Sequence, residues 1–218
     1  GLNFVQNVPP AARAAYESAL KLLRDARTPD ALAALQEAVK IFPDYFDARF
    51  LLAAEYSKGG KLTEAITELN EAQRINSKDD RVWHAFGGVL MQQRKFAVAA
   101  RVFAEAARLS PSDPQYHLLQ ATALIEQAAS IEPAKADERD YAFAEAEKSL
   151  ARADQLSARK LAAVHLQRAR LYEKRGDRAR AADELERYLR QSPELKNAAA
   201  IRQAIKTLRT SASDKKTP

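Results

Sequence analysis

The sequence predicts an all-α chain of stacked antiparallel helical hairpins, and three observations point there. Ala, Leu, Arg, Glu and Lys, which lose little side-chain freedom in a helix, recur throughout, while only 6 Gly and 9 Pro punctuate 218 residues. Apolar positions return at helical spacing, and charges break every apolar run before the roughly 18 to 20 residues a membrane span needs. The pattern also repeats at a fixed interval of 34 residues.

The interval is clearest between Arg81 and Ser112, where Trp83, Gly87, Leu90, Ala99, Phe103, Ala106 and Pro111 form an ordered set. A shift of 34 residues toward the N-terminus meets Ala53, Tyr56, Ala65, Leu69 and Ala72, with Gly59 and Gly60 at the turn. A second such shift meets Ala19, Leu22, Ala31, Leu35 and Ala38, with Pro43 closing the segment. Two helices approach to ~8 Å only where small side chains face each other, which is the part Gly87, Ala99 and Ala106 fit. Trp83 and Phe103 fill the flanks, and Pro43 and Pro111 stop a helix so that the chain can turn.

This set resembles the signature of the tetratricopeptide repeat family, and the likeness extends over about residues 10–193. The resemblance implies a right-handed superhelix (α-solenoid) of about five hairpins that holds another polypeptide and catalyses nothing. The expected repeats are about 12–44, 45–78, 79–112, 113–159 and 160–194. In the fourth, Leu124 and Ala146 lie 22 residues apart where Leu90 and Ala99 lie 9 apart, so about thirteen residues are inserted, near 127–139. They read as a lengthened first helix, a break at Pro133 and an early second helix. The fifth carries Ala169, Tyr172, Gly176, Ala181, Leu185 and Pro193, with Tyr188 in a slot the family fills with Ala. Residues 195–210 read as an amphipathic capping helix, 211–218 as a disordered tail, and 1–9 as a linker from an upstream region. The first eight residues lack the basic and apolar regions of a signal peptide, and the compartment stays open.

Chemistry-bearing motifs are scarce. Zero Cys removes disulfides, thiolate nucleophiles and sulfur-bound zinc. His84, His117 and His165 meet the i, i+4 spacing of a helical metal site only by chance, and no phosphate-cradling loop, nucleophile elbow or HExxH occurs. No catalytic residue, metal or cofactor is expected. Residues 151–218 hold 17 Lys and Arg against 8 Asp and Glu. These charges interleave at helical spacing and aromatic platforms for bases are nearly absent, which argues against nucleic acid and for a solvated helix surface.

By the resemblance, the first helix of each hairpin lines the concave face. Counting by 34 through one inward slot gives Tyr16, Phe50, His84 and Leu118; a turn earlier stand Arg13, Asp47 and Arg81, and later slots add Leu20 and Met91. These nine residues are the expected peptide groove, apolar and aromatic along its middle with charge on one margin. The bland alternative is that the large residues only pack first helix on first helix. Family members that grip acidic C-termini use a Lys and Asn clamp, and here Tyr16, Leu20, Leu51, Arg81 and Ala85 occupy those slots. That favours an apolar peptide or protein surface. A scaffold working through the convex face, the insert or self-association into a homo-oligomer stays open.

Overall fold

The structure, a computed structural model, describes residues 4–213, and every regular element among them is helical. The all-α hairpin fold expected from the sequence is the fold observed. The chain divides into two compact units, residues 1–95 and 96–218, with the boundary inside the repeat expected over 79–112.

In the first unit α1 (Pro10–Arg24) pairs with α2 (Thr28–Ile41), and α3 (Phe46–Lys58) pairs with α4 (Leu62–Ile75). Helix α5 (Asp80–Gln92) follows and packs on α4 and α3. Pro10 and Pro29 open α1 and α2, where the missing N–H is no loss. The buried faces are set by small residues around a large one: Ala31, Leu35 and Ala38 on α2, then Ala65, Leu69 and Ala72 on α4, all at 0 or 1% exposure. Arg49 ties α3 to α4 through a 2.7 Å bridge to Glu68, with both side chains largely sequestered.

The turns after α1, α3 and α5 follow one design. After α1 the Ala26 N–H donates to the Leu23 carbonyl and the Arg27 N–H to the Leu22 carbonyl; after α3 Gly60 and Lys61 donate in the same way to Ser57 and Tyr56. Arg94 and Lys95 do so to Met91 and Leu90. This double bond satisfies helix-end carbonyls and demands a left-handed residue just past the end. Ala26, Gly60 and Arg94 fill that position at φ of 57°, 73° and 58°, so the 34-residue interval is also an interval of backbone conformation. Only Gly60 adopts it without steric cost.

The second unit comprises α6 (Phe96–Leu109), α7 (Pro114–Ser130), α8 (Ala136–Leu156), α9 (Ala162–Lys174), α10 (Arg178–Gln191) and α11 (Ala198–Ser213). Each packs on the next, and α7 also lies against α9. The small-large-small face recurs as Ala99, Phe103 and Ala106 on α6 and as Ala146, Leu150 and Ala153 on α8. Between α7 and α8 the chain breaks at Ile131 and Glu132 and makes a single 3-10 turn over Pro133–Lys135, so α8 runs for 21 residues where α6 has 14. The paired surfaces of α7 and α8 enclose Ile125, Ala128, Ala142, Phe143 and Leu150. Helix α9 contributes a buried His165, whose Nδ1 is 2.6 Å from Glu184 Oε2 of α10 while Nε2 faces the Gln191 amide at 3.1 Å. The Gln191 donor makes Nε2 the acceptor and leaves the proton on Nδ1, so the buried carboxylate has a donor.

The C-terminal helix differs in extent from the sequence reading. Leu195 lies in the turn before it, and α11 runs from Ala198 to Ser213, three residues into the stretch expected to be disordered. Arg178 bonds the Ser211 carbonyl and Arg209 reaches Asp183 and Glu186 of α10, which ties this end of the helix to its neighbour. The remainder of the expected tail, 214–218, and residues 1–3 of the expected linker lie outside the described residues.

Candidate functional site

The expected groove residues of the first unit come from α1, α3 and α5. Arg13, Asp47, Arg81 and His84 are exposed, while Tyr16, Leu20, Phe50 and Met91 are half-buried. The rings have defined seats. Phe46 and Phe50 are one helical turn apart on α3 and stack in parallel, 6.2 Å between centroids and 3° between planes. Tyr16 leans on Tyr45, which sits at the N-cap of α3, at 5.2 Å. Tyr16 and Phe50 thus each bury one side on a buried ring, Phe46 being only 2% exposed, and keep another side toward solvent, so packing and display coexist.

Charge is placed against these rings. The Arg81 guanidinium lies 5.6 Å from the Phe50 centroid and 5.9 Å from that of Phe46, a cation over two ring faces. Burial pushes the Tyr16 hydroxyl above its ordinary 10.0, the Asp47 carboxylate pushes it further, and Arg81 pulls it back. Those influences put Tyr16, Asp47 and Arg81 in one electrostatic neighbourhood. Across α3 and α5 the Gln92 amide donates to the Ser57 hydroxyl at 3.1 Å.

Two positions differ from the sequence expectation. Arg81, expected on the charged margin of the groove, is already forked onto Asp79: Nε lies 2.9 Å from Oδ1 and one terminal nitrogen 2.6 Å from Oδ2. Asp79 is held for this because it also caps α5, accepting the Arg81 N–H at 3.0 Å. Leu118, which shares the slot of Phe50, is only 8% exposed and belongs to the second unit's core with Ile125, Val164 and Leu171. It is a packing residue there. Among the signature residues, Gly87, Ala99, Phe103 and Ala106 are buried, Pro111 is exposed in the turn after α6, and the Trp83 indole donates to the Ser77 carbonyl at 3.0 Å.

Sequence reasoning missed Tyr45, Phe46 and Asp79. The aromatic density of Phe42, Tyr45, Phe46 and Phe50 was a legible signal for the first two. An Asp two residues before an Arg at a helix start was the signal for the third. Among the described residues no group of three metal-ligating side chains is assembled and no helix is long and apolar enough to cross a membrane.

Two models of the tetratricopeptide repeat match the sequence, over residues 22–86 and 84–158. The chain belongs to the tetratricopeptide repeat family. No curated protein matches it significantly. Solved tetratricopeptide structures do resemble it: YrrB, a protein with an unusual peptide-binding site, shares 16% identity over 88% of this chain and 92% of its own, with a TM-score of 0.66. MamA from residue 41 onward, from Desulfovibrio magneticus RS-1, shares 14% over 87% and 99%, at 0.72. PilW, a widely conserved type IV pilus biogenesis factor, shares 16% over 93% and 92%, at 0.68. At these identities the likeness is one of fold. Tetratricopeptide repeats and neighbours of this kind support a protein-interaction module.

Proposed function

We propose that this tetratricopeptide protein is non-catalytic and binds a peptide or protein segment along α1, α3 and α5 of its first unit. The observation that carries the reading is two half-exposed rings on buried ones, Tyr16 on Tyr45 and Phe50 on Phe46, with Arg81 over the second pair. Aromatic faces give contact area at small entropic cost and dominate binding energy at interfaces. The arrangement is pre-formed, so little ordering is required of the protein.

Polar selection falls to different groups than the sequence suggested. Arg81 is exposed but already paired with Asp79, so the margin offers Arg13 and Asp47 beside it, which suit a ligand carrying both signs. YrrB, a structural neighbour, has a peptide-binding site, which supports the same use of the fold here. Affinity should be micromolar, about −8 kcal/mol, because a ligand that orders on docking loses part of its interaction energy. The test is capture of partners by the parent chain, by Phe50→Ala with His84→Ala, and by Thr67→Ala at an exposed position of α4. Loss of capture in the first variant alone, with its helical signal intact, is the expected result. Equal capture by all three sinks the groove.

A second reading, a scaffold acting through the insert, is favoured by Tyr141, 68% exposed on the early turns of α8. Tyr141→Ala abolishing capture would select it.

A further inference from the structure

Residues 4–9 form no regular secondary structure, yet alternate side chains tie them to the first unit. Phe4 sets its ring edge-on against Phe46, 5.5 Å between centroids and 68° between planes. Gln6 reaches the start of α3, where its amide nitrogen donates to the Asp44 carbonyl and its oxygen accepts the Phe46 N–H at 2.9 Å. Val8 packs on the cluster that includes Ala12, Tyr45 and Phe46. Between them Val5 is 83% exposed and Asn7 is exposed as well. A period of two is the mark of an extended chain laid along a surface.

The Gln6 contact is the selective one. A helix leaves its first N–H groups without partners inside the helix, and Tyr45 at the N-cap of α3 supplies no side-chain acceptor. Gln6, 40 residues away, supplies it and at the same time satisfies the carbonyl of Asp44. A primary amide offers donor and acceptor together, as a backbone peptide unit does; a carboxylate would face the carbonyl with a second acceptor, and Leu would offer neither group. The segment covers this place without sealing it. A cleft of about 250 Å³ remains between Phe4, Gln6, Asp47 and Arg81, and one of about 410 Å³ between Phe4, Asn7, Phe42 and Arg74.

We infer that Phe4–Val8 is an in-cis ligand of a recognition subsite at the start of α3, and that the subsite's ligand in trans is an extended segment of pattern aromatic, any, Gln, any, aliphatic. This deepens the proposed function and rests on its reading that the first unit receives a peptide. The subsite adjoins the groove because Phe46, which receives Phe4 on one side, stacks on Phe50 on the other. The in-cis segment lowers the apparent affinity of a trans ligand by the fraction of time it occupies the subsite.

The probe is a fluorescent acetylated pentapeptide, Phe-Val-Gln-Asn-Val, titrated onto the full chain. Phe4→Ala with Gln6→Ala should bind it at least tenfold more tightly than the parent does, and a probe with Leu for Gln should lose that gain. Equal binding by parent and variant, or indifference to the Gln, overturns the proposal. Should the double variant fail to fold, the parent decides: the chain has no Cys, so Val5→Cys accepts a single dye at an exposed position. Saturating unlabelled peptide should free the segment and lower the dye's anisotropy; no change at millimolar peptide overturns the proposal. Failure of these tests with Phe50-dependent capture intact removes the subsite alone, and probe binding with capture indifferent to Phe50 removes the groove alone.

Discussion

Phe50 and Leu118 occupy the same slot of the repeat, two intervals apart, yet one is half-exposed on a stacked pair of rings and the other is in the core. The small-large-small faces do not diverge in this way. Ala31, Leu35 and Ala38 in the first unit and Ala146, Leu150 and Ala153 in the second are equally buried. The difference lies in what covers the helix carrying the slot. Helix α7 is 17 residues long where α3 has 13, it pairs with an α8 of 21, and α9 lies directly against it. A periodic pattern therefore transfers core positions between units and transfers display positions only where neighbouring helices keep the same lengths.

Truncation should separate the two positions most strongly. Leu118→Ala should cost about 2 to 5 kcal/mol in chemical denaturation, because a core site collapses only partly around the void, and binding by the folded fraction should be unchanged. Phe50→Ala should cost less, about 1 to 2 kcal/mol, since one side of the ring is already wet, and should reduce binding. The reverse ranking, with Leu118 neutral to stability, would show that the two units treat the slot alike.

Smaller effects are expected at the turns and rings. Ala26 sits at a φ of 57°, where a Cβ is strained, whereas Gly60 meets the same demand freely. Ala26→Gly should raise stability by up to about 1 kcal/mol, the relief of strain outweighing the added freedom of the unfolded chain, and a fall in the denaturation midpoint would contradict it. The smallest effect is expected at high pH. Tyr16 and Tyr45 are both raised above 10.0, chiefly by burial. An acid whose folded value is raised contributes stability that is complete below the unfolded value and lost as pH climbs through the folded one. Stability should therefore fall as pH passes 10, and by less in Tyr16→Phe with Tyr45→Phe.

Much of this was legible because it follows from local rules. The hairpins, their buried Ala and Leu faces and the break near Pro133 follow from helix spacing and from proline's missing donor, both properties of short segments. The Tyr16 and Phe50 positions could be counted from the interval. What could not be counted depends on contacts distant in sequence or on competition for one group. Gln6 finds α3 across 40 residues, and Leu118 shares a core cluster with Val164 of another helix. Arg81 is claimed by Asp79 only because that carboxylate is also the α5 cap, a local pairing the periodic count passed over.

Whether position 50 meets a partner while position 118 stays in the core can be read with a photocrosslinking benzophenone side chain placed at position 50 and, separately, at position 118. Mass spectrometry of the irradiated complex should show partner peptide attached at position 50, while position 118 yields only links within the chain. Partner peptide attached at position 118 and absent at position 50 would contradict both placements.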